Sequence, residues 1–278
     1  MEEFLMPNHK RLRNIATSCL VAFLAGAAGA TPASRSPKIP KRSGVVQDWD
    51  NRLQIAREHL NRSDFEQGRD VADAVLKEMI DRIEGGSGAG PGLGTTLLLR
   101  AFGEAGLGDM DKALWDWHTA RAVDPGISKD RLSAFGPAGE RLAAAVTSAT
   151  QKETLQSLDA TSGKSLPKGV SKPKKIAGDL PRYPLGARNS CIEGTLMMDA
   201  VIEEHGALRE PGLLQPPDSP VLTVAAFEAV RAWRFKPALF EGKPVPVYYA
   251  FTVSFGLVGM KICPPLRPAA LKNKKKSG

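Results

Sequence analysis

Residues 245–255 read Val-Pro-Val-Tyr-Tyr-Ala-Phe-Thr-Val-Ser-Phe, and no other stretch limits the fold as tightly. Val245, Val247, Tyr249, Phe251, Val253 and Phe255 fall on one side of an extended chain. Pro246, Tyr248, Ala250, Thr252 and Ser254 fall on the other. Side chains of a strand alternate between its faces, so this pattern specifies a strand with one buried face. Such a strand needs neighbours, and the sequence upstream supplies them. Ile192–Glu203 places Ile192, Leu196, Met198, Ala200 and Ile202 on one face, with Met197 and Val201 interrupting an otherwise polar opposite face. Glu204-His205-Gly206 reads as a turn, with glycine supplying positive φ. Ala207–Gln215 reads as a returning strand in which Pro211 marks a bulge or an edge. Ser219-Pro220 then opens a helix running to about Trp233, as N-cap and first-turn proline. Its apolar stripe is Leu222, Ala225, Ala226, Ala229, Val230 and Trp233. The order strand, strand, helix, strand predicts a three-stranded antiparallel sheet with one helix packed on a face. Trp233 and Phe235 are expected in that core and Arg234 and Lys236 outside it. Pro237 stops the helical path, and Gly242 with Pro244 resets the chain for the last strand.

The preceding half is different. Residues 47–149 carry helical periodicity, with Asp64 as the N-cap of one run. The glycine-rich segment Glu84–Thr96 is expected to be a flexible loop between helices. It is no phosphate loop, because Gly94 is followed by Thr95 where the phosphate-binding lysine belongs. Gly108, Ala113, Trp117, Ala120 and Pro125 resemble the second half of a tetratricopeptide repeat: turn glycine, small contact residues, groove filler and terminating proline. Trp115 on that helix is expected to be packed or partly exposed, and His118 exposed. Residues 150–177 lose apolar periodicity and read as a disordered basic linker. The expected layout is α+β: an N-terminal helical domain at 47–149, the linker, a sheet-and-helix domain at 178–260, and a basic tail at 261–278.

Lys10, Arg11 and Arg13 precede the apolar run Ile15–Ala30, which ends in the small-x-small pattern Ala28-Gly29-Ala30. This reads as a secretory signal over residues 1–30, followed by a flexible lead-in at 31–46. The rival reading is an uncleaved anchor, although a span needs about 20 apolar residues. Either way, the rest of the chain is expected outside the cytoplasm. The net charge of +8 is unevenly spread. Residues 45–150 are net acidic, with 12 Lys/Arg against 17 Asp/Glu, whereas 261–278 carry six Lys/Arg and no acid. Those cations suit an anionic cell-wall polymer or lipid. They lack interleaved aromatics or a nucleic-acid motif, so no nucleic-acid partner is expected. The four histidines form no nucleophile or metal pattern, and no zinc-type cysteine spacing occurs. No catalytic residue, metal site or cofactor is expected.

Taken in order, Tyr183-Pro184, Ala187-Arg188, Ile192-Glu193-Gly194, Gly206, Ala225–Val230, Trp233-Arg234-Phe235-Lys236-Pro237 and Gly242-Lys243-Pro244 resemble the TonB carboxy-terminal domain family over about 178–258. The resemblance implies a periplasmic protein of a diderm bacterium that binds an envelope or outer-membrane protein by strand addition. The implied edge is Val247, Tyr248, Tyr249, Ala250, Phe251, Thr252, Val253, Ser254 and Phe255. One alternative is a membrane-anchored energy transducer that contacts an inner-membrane motor complex. Against it, Ile15–Ala30 contains no His, Asp, Glu, Lys or Arg, the usual functional mark inside a span. The other alternative is a structural envelope protein binding cell-wall polymer. The family pairing of first and last strands also implies that Cys191 and Cys263 lie at the same end of the sheet and can form a disulfide.

Overall fold

The computed structural model describes residues 44–83, 90–152 and 169–257, all within one compact unit, Arg42–Gly278. The N-terminal apolar segment, most of the basic linker, the tail and Cys263 lie outside the described residues.

The first half is a helical array: α1 (Gly44–Asn61), α2 (Phe65–Arg82), α3 (Gly90–Leu107), α4 (Met110–Val123), a 3-10 segment (Lys129–Phe135) and α5 (Gly136–Lys152). Asp64 occupies the N-cap position of α2 without a side-chain cap bond, and its Oδ2 instead lies 2.8 Å from His59 Nδ1. Asp109 caps α4 by accepting a hydrogen bond from the Lys112 amide. Ala113, Trp117 and Ala120 are buried, and Gly108 takes the left-handed turn before α4.

The glycine-rich segment departs from expectation, because Gly90–Thr96 belongs to α3 rather than to a loop. Packing overrides the weak helix propensity of glycine here. A Cβ on Gly94 would come 2.9 Å from both Asp124 Cβ and Ile127 Cδ1. The missing side chain therefore lets α3 approach the segment after α4. Buried Thr96 donates its hydroxyl to the Gly92 carbonyl at 2.9 Å.

The second half contains β1 (Lys174–Ala177), α6 (Leu185–Asn189), β2 (Gly194–Ile202), β3 (Leu208–Gln215), α7 (Pro220–Arg231), β4 (Arg234–Lys236), β5 (Ala238–Phe240), β6 (Lys243–Val245) and β7 (Val247–Phe255). The main sheet is antiparallel in the order β3-β2-β7. β2 and β7 pair without a slip from Gly194↔Phe255 to Ile202↔Val247. β3 is irregular: its register shifts twice against β2, and Glu210, just before Pro211, has φ 51°. Gly206 turns the β2–β3 hairpin at φ 82°, where a Cβ would lie 1.8 Å from the Phe235 carbonyl oxygen. Leu196, Met198, Ala200 and Ile202 are fully buried, and Met197 is 39% exposed on the opposite face.

Two short ribbons, β1–β4 and β5–β6, were not readable from the alternation pattern. β1 lies in the segment expected to be linker. Ser171 also bonds Leu239 in both directions, through its amide and through its hydroxyl, so the last part of 150–177 is structured.

The helical array does not hang on a free tether. It packs against α7 and β3, and this explains why α7 is buried on more than the expected stripe. Val221, Val224 and Phe227 are fully buried alongside Leu222, Ala226 and Val230. The inner side of α7 meets the sheet; the side carrying Phe227, Glu228 and Arg231 meets α3 and α4. A helix that is apolar nearly all round must be covered on both sides.

Candidate functional site

β7 is an edge strand of the main sheet. Among the described residues, only β2 pairs with it. Antiparallel geometry directs the backbone groups of alternate residues away from the paired side, so the outer side of β7 offers a row of donors and acceptors. Val247, Val253 and Phe255 are buried beneath, Tyr249 and Phe251 are half-buried, and Thr252 and Ser254 are exposed. Ser254 accepts a hydrogen bond from Thr195 across the strands at 3.1 Å, and Tyr248 donates to Glu210 of β3 at 3.4 Å. Ala250 is half-buried opposite Asp199. The strand is therefore held rigidly from one side.

The corner before β7 supports this edge. Trp233 and Phe235 are 7% and 5% exposed. The Trp233 ring packs 5.5 Å from Phe251, and Phe235 packs 6.4 Å from Tyr249. Both corner aromatics thus bear on the core side of β7. Trp233 Nε1 donates to the Asp179 carbonyl at 2.7 Å, and Lys175 Nζ stands 3.6 Å from the ring centroid. Gly178 passes so close that a Cβ would lie 2.4 Å from Trp233 Cδ1, and its φ is 108°. Arg234 is exposed and donates to the carbonyls of Arg231 and Trp233. Half-buried Pro237 separates β4 from β5.

The far end of β7 is held by Tyr183. Its hydroxyl donates to the Ile192 carbonyl at 2.5 Å, and its ring meets Phe255 edge-on at 5.4 Å. Burial, with Glu193 nearby, raises the phenol above its ordinary pKa, so it remains a donor at neutral pH. Pro184 precedes α6 and accepts from the Arg188 amide. Gly194 faces Leu222 and Pro217 so closely that a Cβ would lie 3.0 Å from each. Of the sequence-selected motif residues, Tyr183, Trp233 and Phe235 thus pack against the core side of one strand. Cys191 is disulfide-bonded; its proposed partner Cys263 lies outside the described residues.

Sequence reasoning missed the charge cluster between the array and α7. Arg100 is 4% exposed and bonds Asp116 through Nε at 2.7 Å and Nη2 at 2.6 Å. The same guanidinium reaches Asp73 at 2.9 Å and Glu228 at 2.5 Å. Burial alone lowers an arginine pKa, but the Asp116 and Glu228 carboxylates hold Arg100 well above its ordinary value. Trp115 is buried beside the cluster and donates Nε1 to the Phe227 carbonyl at 3.2 Å. His118 is half-buried rather than exposed, and burial, together with Arg121, lowers its pKa to about 4. The one available sequence signal was α7 itself, whose apolar residues cover more than one face.

A cleft of ≈ 800 Å³ separates α4 and α5 from the β2–β3 hairpin. Its charges are largely paired among themselves, Arg209 with Glu203 and Glu210, and Lys112 with Asp109. Among the described residues, β7 pairs only with β2.

Residues 179–257 match the family described as Gram-negative bacterial TonB protein C-terminal. The chain is similar to protein TonB of Vibrio cholerae serotype O1, with 33% identity over 91 residues. That alignment covers 32% of this chain and 37% of the relative. The matched region contains the whole β3-β2-β7 sheet and α7, while the helical array lies outside it.

Proposed function

We propose that this chain is a non-catalytic, periplasm-facing protein that binds an envelope partner by adding a strand to the outer side of β7. The partner class is an outer-membrane protein, which gives the chain a place in outer-membrane transport. The observation that carries the reading is a nine-residue edge strand paired with β2 in a slip-free ladder and backed by aromatic contacts at Tyr249, Phe251 and Phe255. Backbone hydrogen bonds supply affinity in such complexes, and alternate side chains supply selectivity. Similarity to a TonB terminal domain supports the partner class.

The test is photo-crosslinking in cells from an unnatural side chain at Thr252 or Ser254, with Gln215 on β3 as the comparison site. The expected result is an outer-membrane protein joined to β7 and not to β3. Equal capture at both positions, or capture of no envelope protein, refutes the reading. Sequencing the mature N-terminus separates a released protein starting at Thr31 from an anchored transducer.

A further inference from the structure

A second surface, independent of β7, is built from the ribbon in front of the corner. Residues 170–177 run antiparallel along residues 234–240: Val170 bridges Phe240, Ser171 bonds Leu239, and Lys174 lies opposite Lys236. One bulge places Ala177 opposite Arg234. Pro173 and Phe235 turn inward and are buried, and Lys175 covers Trp233. Lys172, Lys174, Arg234 and Lys236 are all exposed. Like charges directly opposite each other in a ladder are destabilising. Here a lysine faces a lysine, and among the described residues none of these four cations has a carboxylate within 4.0 Å. Elsewhere the same protein pairs its cations freely, as at Arg52, Lys77 and Lys112.

Large apolar side chains stand exposed around this ribbon. Ile176 is 65% exposed and Phe240 41%. A soluble polyanion needs the charges and has no use for the apolar groups. A bilayer surface takes both: phosphate headgroups receive the cations, and aliphatic or aromatic tips enter the boundary of the acyl chains. We propose that the ribbon formed by residues 170–177 and 234–240 is a docking surface for an anionic lipid bilayer. Lys172, Lys174, Arg234 and Lys236 bind phosphate headgroups, and Ile176 and Phe240 are the inserting groups.

The experiment measures binding of the chain from Thr31 onward, which retains the whole compact unit, to vesicles of phosphatidylcholine with and without phosphatidylglycerol. Each cation near such a surface contributes about fivefold to partitioning. Lys174→Gln with Lys236→Gln is therefore expected to weaken binding to the anionic vesicles by about 25-fold at low salt. The melting temperature should hold or rise, because a like-charge pair has been removed. Lys77→Gln with Lys112→Gln makes the same change in net charge elsewhere and is expected to leave vesicle binding within a few-fold. Ile176→Ser should weaken vesicle binding while leaving binding to purified cell-wall polymer unchanged. Equal losses in the two lysine doubles, or a loss confined to the cell-wall polymer, overturns the proposal.

Discussion

Replacing Arg100 by methionine tests what the buried ion cluster linking α2, α3, α4 and α7 contributes to stability. The substitution conserves much of the apolar stem and removes the guanidinium. Asp116, which is 0% exposed, then loses both bonds from Arg100 and keeps only Arg231 at 3.4 Å. Stranding one partner of a buried pair costs about 3–5 kcal/mol. For a body of this size, that is roughly a 6–20 °C fall in melting temperature. The loss has a defined pH dependence. Burial already raises the Asp116 pKa against the pull of Arg100, and removing Arg100 raises it further. A carboxyl whose native pKa lies above its unfolded value keeps its contribution at low pH and loses it as pH rises through the native pKa. The deficit of Arg100→Met is therefore largest at neutral pH and shrinks toward pH 4. Urea unfolding followed by tryptophan fluorescence reads both quantities, because Trp115 and Trp117 sit in the array and Trp233 in the sheet domain. Adding Asp116→Asn to Arg100→Met should recover about half of the loss, since a buried neutral amide costs less than a buried charge. A single substitution within about 1 kcal/mol of the parent, or a deficit that grows on acidification, refutes the reasoning.

Three further outcomes follow from local geometry. Gly206→Ala combines a left-handed φ of 82° with a 1.8 Å collision against the Phe235 carbonyl, so a loss of about 2 kcal/mol or more is expected in urea unfolding. His118 should titrate near pH 4 by NMR and be neutral in the native state at pH 6. Its depressed pKa contributes stability that is complete above the unfolded value near 6.5 and is lost as pH falls toward 4, so His118→Gln should flatten that part of the acid-unfolding curve. Peptide mapping without reductant should recover Cys191 joined to Cys263, and Cys191→Ser should cost about 4 kcal/mol by loop-closure arithmetic. A free thiol at either position contradicts that pairing.

The sheet domain was legible because its signals are local. The alternation from Val247 to Phe255, the Gly206 turn and the Ser219-Pro220 helix start each act within a few residues, and chain order then leaves few topologies. The tyrosine and tryptophan anchors were legible as a motif set, but not as supports beneath one strand; that requires their packing against Phe255 and Phe251. The glycine run misled because propensity speaks before packing does. Nothing near Gly94 announces that Asp124 and Ile127 will press against it from thirty residues away. Arg100 was invisible for the same reason, since its partners Asp73, Asp116 and Glu228 come from three other helices.

That cluster changes what the helical array does for the edge strand. With only the expected stripe buried, α7 would serve the sheet alone, and the array would be cargo on a linker. With Glu228 and Phe227 engaged by Arg100 and Trp115, α7 is shared. One side of it supports the strands that position β7, and the other side is bonded into α3 and α4. The array and the sheet are therefore joined through α7 itself, while among the described residues β7 pairs only with β2. The ion cluster gives this junction a more specific geometry than an apolar contact of equal area. An arginine–carboxylate contact fixes direction as well as distance, so sliding α7 against the array would separate Glu228 from Arg100 and Arg231 from Asp116.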